Sequence, residues 1–159
     1  MKKYFFILPL VALLVFFYSY LQNKKEQPDA NLRHDVDVIN EINEVQIGEQ
    51  IIRVEVVATP ETRALGLSGR NILGEDEGML FVFATPGRNY FWMKDMNFPI
   101  DMLWIDENLK IIYIKENAEP KSYPNTFGPN QNSKYVLEVV SGFTAKHNIK
   151  KGDSVIFTN

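Results

Sequence analysis

The most pronounced feature of the hydrophobic pattern is an uncharged run of eighteen residues from Tyr4 to Leu21, which follows Lys2 and Lys3. A helix of that length spans about 27 Å, enough to cross the hydrocarbon core of a bilayer. A positively charged start is also typical of a secretory signal peptide, but no A-x-A-like cleavage site follows Leu21. The pattern favours an uncleaved signal anchor, with a cleaved signal peptide and a buried core helix as the alternatives.

Basic residues flank this run on both sides, with Lys2 and Lys3 before it and Lys24 and Lys25 after it. The positive-inside rule and the signal-like layout favour an N-terminus on the cytoplasmic side. We therefore expect a single-pass protein of the cell membrane, with its domain on the extracytoplasmic, periplasmic side.

Downstream of the run the pattern loses its large apolar residues. Residues 22–50 contain three basic and seven acidic side chains and Pro28. Such a composition is typical of a solvated segment. The predicted organisation is a transmembrane helix over residues 1–21, an acidic linker over 22–44 and a globular domain over 45–159.

Within the domain the pattern has mostly the two-residue period of strands. The strands are predicted at 51–58, 79–83, 89–94, 101–105, 109–115, 135–140 and 154–157. A short helix is predicted after Thr59 as the cap, ending at Gly66. A second helix is predicted after Ser141, ending near Asn148, and residues 118–133 are predicted as a long loop. The expected fold is a compact, barrel-like, mainly β domain with two short helices, at the margin of the α+β class.

Composition excludes several kinds of function. The net charge of -3 and the pI near 5.4 provide no basic surface for nucleic acid. The chain has no cysteine and two histidines, which excludes disulfides, lipoprotein acylation, thiol catalysis and multi-histidine metal sites. We therefore expect no metal, no cofactor and no nucleic-acid partner.

Two short segments resemble functional motifs without matching them. Residues 66–70 resemble a nucleophile elbow but lack its second glycine and follow a predicted helix. The acidic residues 75–77 lack the spacing of an EF-hand loop, so a solvated acidic loop is the favoured interpretation.

The candidate functional residues are polar or aromatic side chains within apolar surroundings. Strand alternation places Trp92 and Lys94 on one face, and it places Glu138 among valines. A carboxylate there needs a partner or a sheet rim, and Lys94 is expected close to Asp101 or Glu138. The full set for a candidate binding cleft is Arg63, Arg70, Trp92, Lys94, Asp101, Tyr123 and Glu138.

Three interpretations of this set remain open. The residues can form a structural ion-pair network, line a binding cleft, or include an acid–base pair of Asp101 and Glu138 tuned by Lys94. Tyr123 lies in the long loop, where an exposed ring can stack on a sugar. The leading functional hypothesis is a non-catalytic, monomeric binding module for an envelope glycan or protein. The alternatives are a carboxylate-dependent hydrolase and a structural domain of a membrane complex.

Five ordered segments carry a resemblance to a known family. They are residues 61–70 (ETRALGLSGR), 77–83 (EGMLFVF), 91–101 (FWMKDMNFPID), 135–138 (YVLE) and 149–153 (IKKGD). Together they resemble the bacterial and archaeal domain of unknown function 192 family. Asp95 and Met96 stand where that family usually has Asn and Thr. The resemblance implies a compact, mostly β domain, often exported, with no established enzymatic activity.

Overall fold

The computed structural model describes residues 41–159. The predicted anchor over residues 1–21 and nearly all of the predicted linker lie outside the described residues. Within residues 41–159, none of the helices combines the length and apolar character that crossing a bilayer requires.

The described part of the chain is mainly β with two short α-helices, as the pattern predicted. Its strands are β1 (Glu44–Ile47), β2 (Gln50–Val57), β3 (Glu77–Gly87), β4 (Phe91–Trp92), β5 (Ile100–Ile105), β6 (Ile111–Ala118), β7 (Thr126–Phe127), β8 (Ser133–Val140) and β9 (Val155–Thr158). Its helices are α1 (Pro60–Leu65), α2 (Phe143–Lys146) and a 3-10 turn at Pro120–Ser122.

Seven strands form one curled sheet in the order β6-β5-β8-β3-β2-β1-β9, and β4 and β7 pair separately. The curl brings the two edge strands together at one end. There Ile111 N donates to Asp153 O at 3.0 Å, and Val155 N donates to Leu109 O at 2.9 Å. The predicted barrel is therefore a half-barrel, because the edge strands meet only over this short segment.

Helix α1 begins and ends where its local sequence predicts. The Thr59 side chain accepts a hydrogen bond from Thr62 N, Pro60 occupies the first turn, and Gly66 ends the helix at φ 51°. The second helix differs from the prediction, because its cap is Gly142 in the left-handed conformation rather than Ser141.

Two apolar clusters lie on opposite faces of the sheet. The inner cluster fills the curl and includes Leu80, Leu103, Leu137 and Val139. The outer cluster includes Met79, Phe81, Met102 and Val136, and segments after α1 and around β4 cover it. Because successive strand residues point to opposite faces, each central strand contributes to both clusters. The outer cluster and its cover form the candidate site.

The cap of α1 gives a first testable prediction, since α1 forms one wall of that site. Replacing Thr59 with Ala removes the acceptor for Thr62 N, and we expect a loss of about 1 kcal/mol in the free energy of unfolding. Urea denaturation measures the loss, and Thr59→Ser, which keeps the acceptor oxygen, is the matched control. Equal stability of Thr59→Ala and the parent chain would contradict a stabilising role of this cap.

Candidate functional site

An open pocket of about 270 Å³ lies between α1 and the outer face of the sheet. Two segments form its sides. The segment after α1 and the segment after β4 are joined where Ser68 Oγ donates to Lys94 O at 3.0 Å and Gly69 N donates to Asp95 O at 2.8 Å. The pocket is lined by Pro60, Arg63, Ala64, Leu65, Gly66, Leu67, Ser68, Phe81, Phe83, Tyr90, Phe91, Trp92, Lys94, Met96 and Glu138.

The floor of the pocket contains Glu138, which is 4% exposed. On the two strands that flank β8, the residues paired with Glu138 are Met79 on β3 and Met102 on β5. The Glu138 side chain therefore lies between two apolar side chains on the outer face. Among the described residues, no group donates a hydrogen bond to its carboxyl or forms an ion pair with it. No fully shielded side-chain oxygen of residues 41–159 lacks a partner, so the Glu138 carboxyl keeps some contact with the open space of the pocket. Burial raises the pKa of Glu138 to about 8, and at neutral pH the carboxyl is protonated.

Phenylalanines fix the inner walls of the pocket. The Phe91 ring packs edge-on against Phe81 with centroids 4.8 Å apart, and against Phe83 with centroids 6.4 Å apart. Gly66 lies against the same wall, where a Cβ would come within 3.3 Å of the Phe81 ring. These contacts hold the walls in place without a ligand, which is typical of a preformed site.

Large side chains at the mouth are unusually exposed. Leu65, Tyr90 and Trp92 line the pocket and are 64%, 50% and 51% exposed. The Tyr123 ring extends this surface, since its centroid lies 6.5 Å from that of Trp92 in an edge-on arrangement. Apolar side chains left in water around a concave opening are typical of a binding surface.

Two cationic side chains also line the pocket. The Arg63 guanidinium donates to Ala58 O and to Val82 O, and it lies 4.8 Å from the centroid of the Phe83 ring. The Lys94 side chain is exposed. Neither residue has a carboxylate within 4 Å in residues 41–159.

Asp101 lies outside this pocket, on the opposite face of the sheet. Its register partner on β8 is Val139, one residue beyond Glu138. It is fully buried and accepts hydrogen bonds from Asn117 N, Gly142 N, Thr144 N and Thr144 Oγ1. The acid–base pair of Asp101 and Glu138 is therefore wrong, because the sheet separates the two carboxyl groups.

Of the other predicted residues, four share the pocket and two lie beside or away from it. The four that line the pocket are Arg63, Trp92, Lys94 and Glu138. Tyr123 lies beside the pocket, where its ring packs against the Trp92 ring. Arg70 instead pairs with Glu55, with Nη2 and Oε2 2.5 Å apart. Lys94 and Glu138 line the same pocket, but among the described residues Lys94 forms no ion pair with Glu138 or with Asp101.

The sequence pattern does not identify Leu65 and Tyr90 as lining residues. It predicts Phe91 only as part of the strand at 89–94, and Phe81 and Phe83 only as part of the strand at 79–83. Alternation in β3 was the available signal, since it places both phenylalanines on the face of Met79. Residues 41–159 contain no group of three His, Asp or Glu side chains arranged to hold a metal ion.

Comparisons with known proteins identify the class of this domain. The DUF192 family model, described as "Uncharacterized ACR", matches residues 42–157. The chain belongs to this family, as the resemblance of its five segments implied. No curated protein matches the chain.

Two solved structures are similar in fold and sequence. One is a protein of unknown function from Novosphingobium aromaticivorans DSM 12444, with a TM-score of 0.69 and 30% identity over 72% of this chain and 84% of that one. The other, from Sinorhizobium meliloti 1021, is proposed to be a transcription regulator, with a TM-score of 0.67 and 29% identity over 72% of this chain and 90% of that one.

Proposed function

We propose that this domain is a non-catalytic binding module and that its pocket holds a sugar residue of an envelope glycan. The observation that supports this best is Glu138, a buried carboxyl without a partner among the described residues, at the floor of a pocket whose mouth exposes Trp92 and Tyr90. Every side-chain nitrogen and oxygen of residues 41–159 that is fully shielded from solvent has a hydrogen-bond partner, so the Glu138 carboxyl, which has none, opens into the pocket. A ligand in this preformed pocket can therefore form a hydrogen bond with it.

The surfaces of the pocket suit a pyranose ring. Its apolar C–H face can pack on an exposed indole or phenol ring, and its hydroxyl groups need a few fixed polar partners. Trp92, Tyr90 and Tyr123 supply the rings, and Glu138 supplies a polar group. A volume of about 270 Å³ admits one such residue and leaves the rest of the glycan outside.

A binding role fits these features better than hydrolysis by paired carboxylates does. The proposed pair for catalysis is divided between the two faces of the sheet, and Glu138 is the one carboxyl group that lines the pocket. We further propose that the residues before the domain anchor it in the cell membrane and place it on the extracytoplasmic side. The support for that location is the uncharged run from Tyr4 to Leu21.

Removal of the Trp92 ring tests the proposed function. We expect Trp92→Ala to weaken binding of the full-length chain to a soluble N-acetylglucosamine tetrasaccharide and to protein-free peptidoglycan by about tenfold, because burial of the indole on the sugar is lost. Ile156→Ala, which removes an equally exposed apolar side chain from β9, is the control and should bind like the parent chain. Calorimetry and co-sedimentation measure the two affinities. If the parent chain binds neither these nor acidic saccharides, the proposed function is wrong.

A further inference from the structure

We propose that the pocket selects an acidic sugar, with the ring of the sugar on Trp92, its carboxylate paired with Lys94, and the Glu138 hydroxyl donating to an oxygen of the ligand. This inference rests on the proposed function, because it assigns the chemical class of the sugar that the same pocket holds.

The charges of the lining residues support an anionic ligand. Arg63, Lys94 and Glu138 are the charged or titratable acid and base groups of the lining, apart from the Tyr90 phenol. Like most cations of the described domain, Arg63 and Lys94 have no carboxylate within 4 Å. Their charge is therefore not neutralised at the pocket, although the whole chain has a net charge of -3. A positive site on an acidic protein is complementary to an anion.

The carboxyl group in the pocket does not cancel this charge. Glu138 lies among apolar side chains that favour its neutral form, so at neutral pH it offers an O–H donor rather than a negative charge. An organic cation would meet two positive side chains in the pocket, whereas an anion meets two cations and a donor. The lining therefore disfavours a cationic ligand and favours an anionic ligand over a neutral one.

The positions of these groups assign a part of the ligand to each. Lys94 is exposed, so a carboxylate that it binds can remain partly hydrated at the mouth, which keeps the desolvation cost low. Arg63 is held against the Phe83 ring and two backbone carbonyl groups, so its charge is fixed in the wall. Asp95 follows Lys94 in the chain but does not line the pocket. The acidic group of the sugar therefore stays near Lys94 at the mouth, where Trp92 holds the ring, and the opposite side of the sugar faces Glu138.

Two matched pairs of sugars test the inference on the full-length chain in detergent micelles. N-acetylmuramic acid differs from N-acetylglucosamine by a lactyl carboxylate, and glucuronic acid differs from glucose by oxidation of C6. We expect the acidic member of at least one pair to bind about tenfold more tightly than its neutral partner, because a charge-assisted hydrogen bond is gained. Trp92 fluorescence is a suitable measure, since Trp104, the other tryptophan, is fully buried.

Variants locate the source of the preference. Lys94→Gln should reduce the preference for the acidic sugar to about twofold or less while keeping the affinity for the neutral sugar. Lys151→Gln, which removes an exposed lysine outside the pocket lining, should keep the full preference. Equal binding of acidic and neutral sugars overturns this inference and leaves the proposed function standing. A preference that survives in Lys94→Gln overturns the assignment of Lys94, and binding of none of the saccharides overturns both proposals.

Discussion

Replacing Asp101 with Ala is expected to lower the free energy of unfolding by about 3–5 kcal/mol. Its carboxylate accepts four hydrogen bonds, from the backbone of Asn117, Gly142 and Thr144 and from the Thr144 hydroxyl, at 2.6–3.2 Å. Both Asp101 and Thr144 are fully buried. The substitution therefore leaves four donors without their acceptor, on β6, at Gly142 and in α2, and the two donors of Thr144 are buried away from water.

Urea denaturation of the parent and variant chains measures this loss. Thr144→Val is the graded control, because it removes one of the four donors and should cost about 1–2 kcal/mol. If enough Asp101→Ala folds for a binding measurement, its affinity for the saccharides should match that of the parent, since Asp101 lies on the face opposite the pocket. Loss of sugar affinity at unchanged stability would show that Asp101 serves the ligand rather than the fold.

Elements whose signals are local in the sequence were predicted well. Thr59, Pro60 and Gly66 lie within eight residues and define α1 through a cap, a first-turn proline and a terminal glycine with a positive φ. The turn between β5 and β6 is similarly local, because Asp106 Oδ1 accepts from Asn108 N and Lys110 N. In both cases the residues that determine the conformation are neighbours in the chain.

The strand predicted at 89–94 shows where a local pattern fails. Only Phe91–Trp92 pairs with another strand, β7, and Lys94 lies in a turn. The alternation there reflects packing of Phe91 on Phe81 and Trp104 rather than sheet pairing. An extended segment that packs on a core shows the same alternation as a strand that is paired in a sheet. The sequence alone therefore does not distinguish the two kinds of segment.

The candidate site was predicted in part for a related reason. Alternation within β8 and its apolar neighbours identified Glu138 as a carboxyl in an unusual environment. The position of Asp101 depends on the register between β5 and β8, where Met102 rather than Asp101 lies opposite Glu138. A shift of one residue moves a side chain to the other face of a sheet, and register between distant strands is not encoded in either strand alone.

The stability of the domain is expected to depend on pH through Glu138. Burial raises its pKa from 4.5 to about 8 in the folded chain. Between these values the folded state retains a proton that the unfolded state releases, so stability falls as pH rises, by about 1.4 kcal/mol per pH unit. The contribution is fully present below pH 4.5 and is lost as pH rises through about 8.

Glu138→Gln isolates this contribution, because the amide resembles the protonated carboxyl and does not titrate. We expect the variant to match the parent near pH 4.5 and to exceed its free energy of unfolding by about 3–5 kcal/mol at pH 9, since the parent then carries a buried carboxylate. Urea denaturation at half-unit pH steps gives the difference curve, in which the exposed carboxyl groups cancel. A flat difference curve for Glu138→Gln would mean that solvent reaches Glu138, and the protonated donor in the pocket would then be lost from the proposed site.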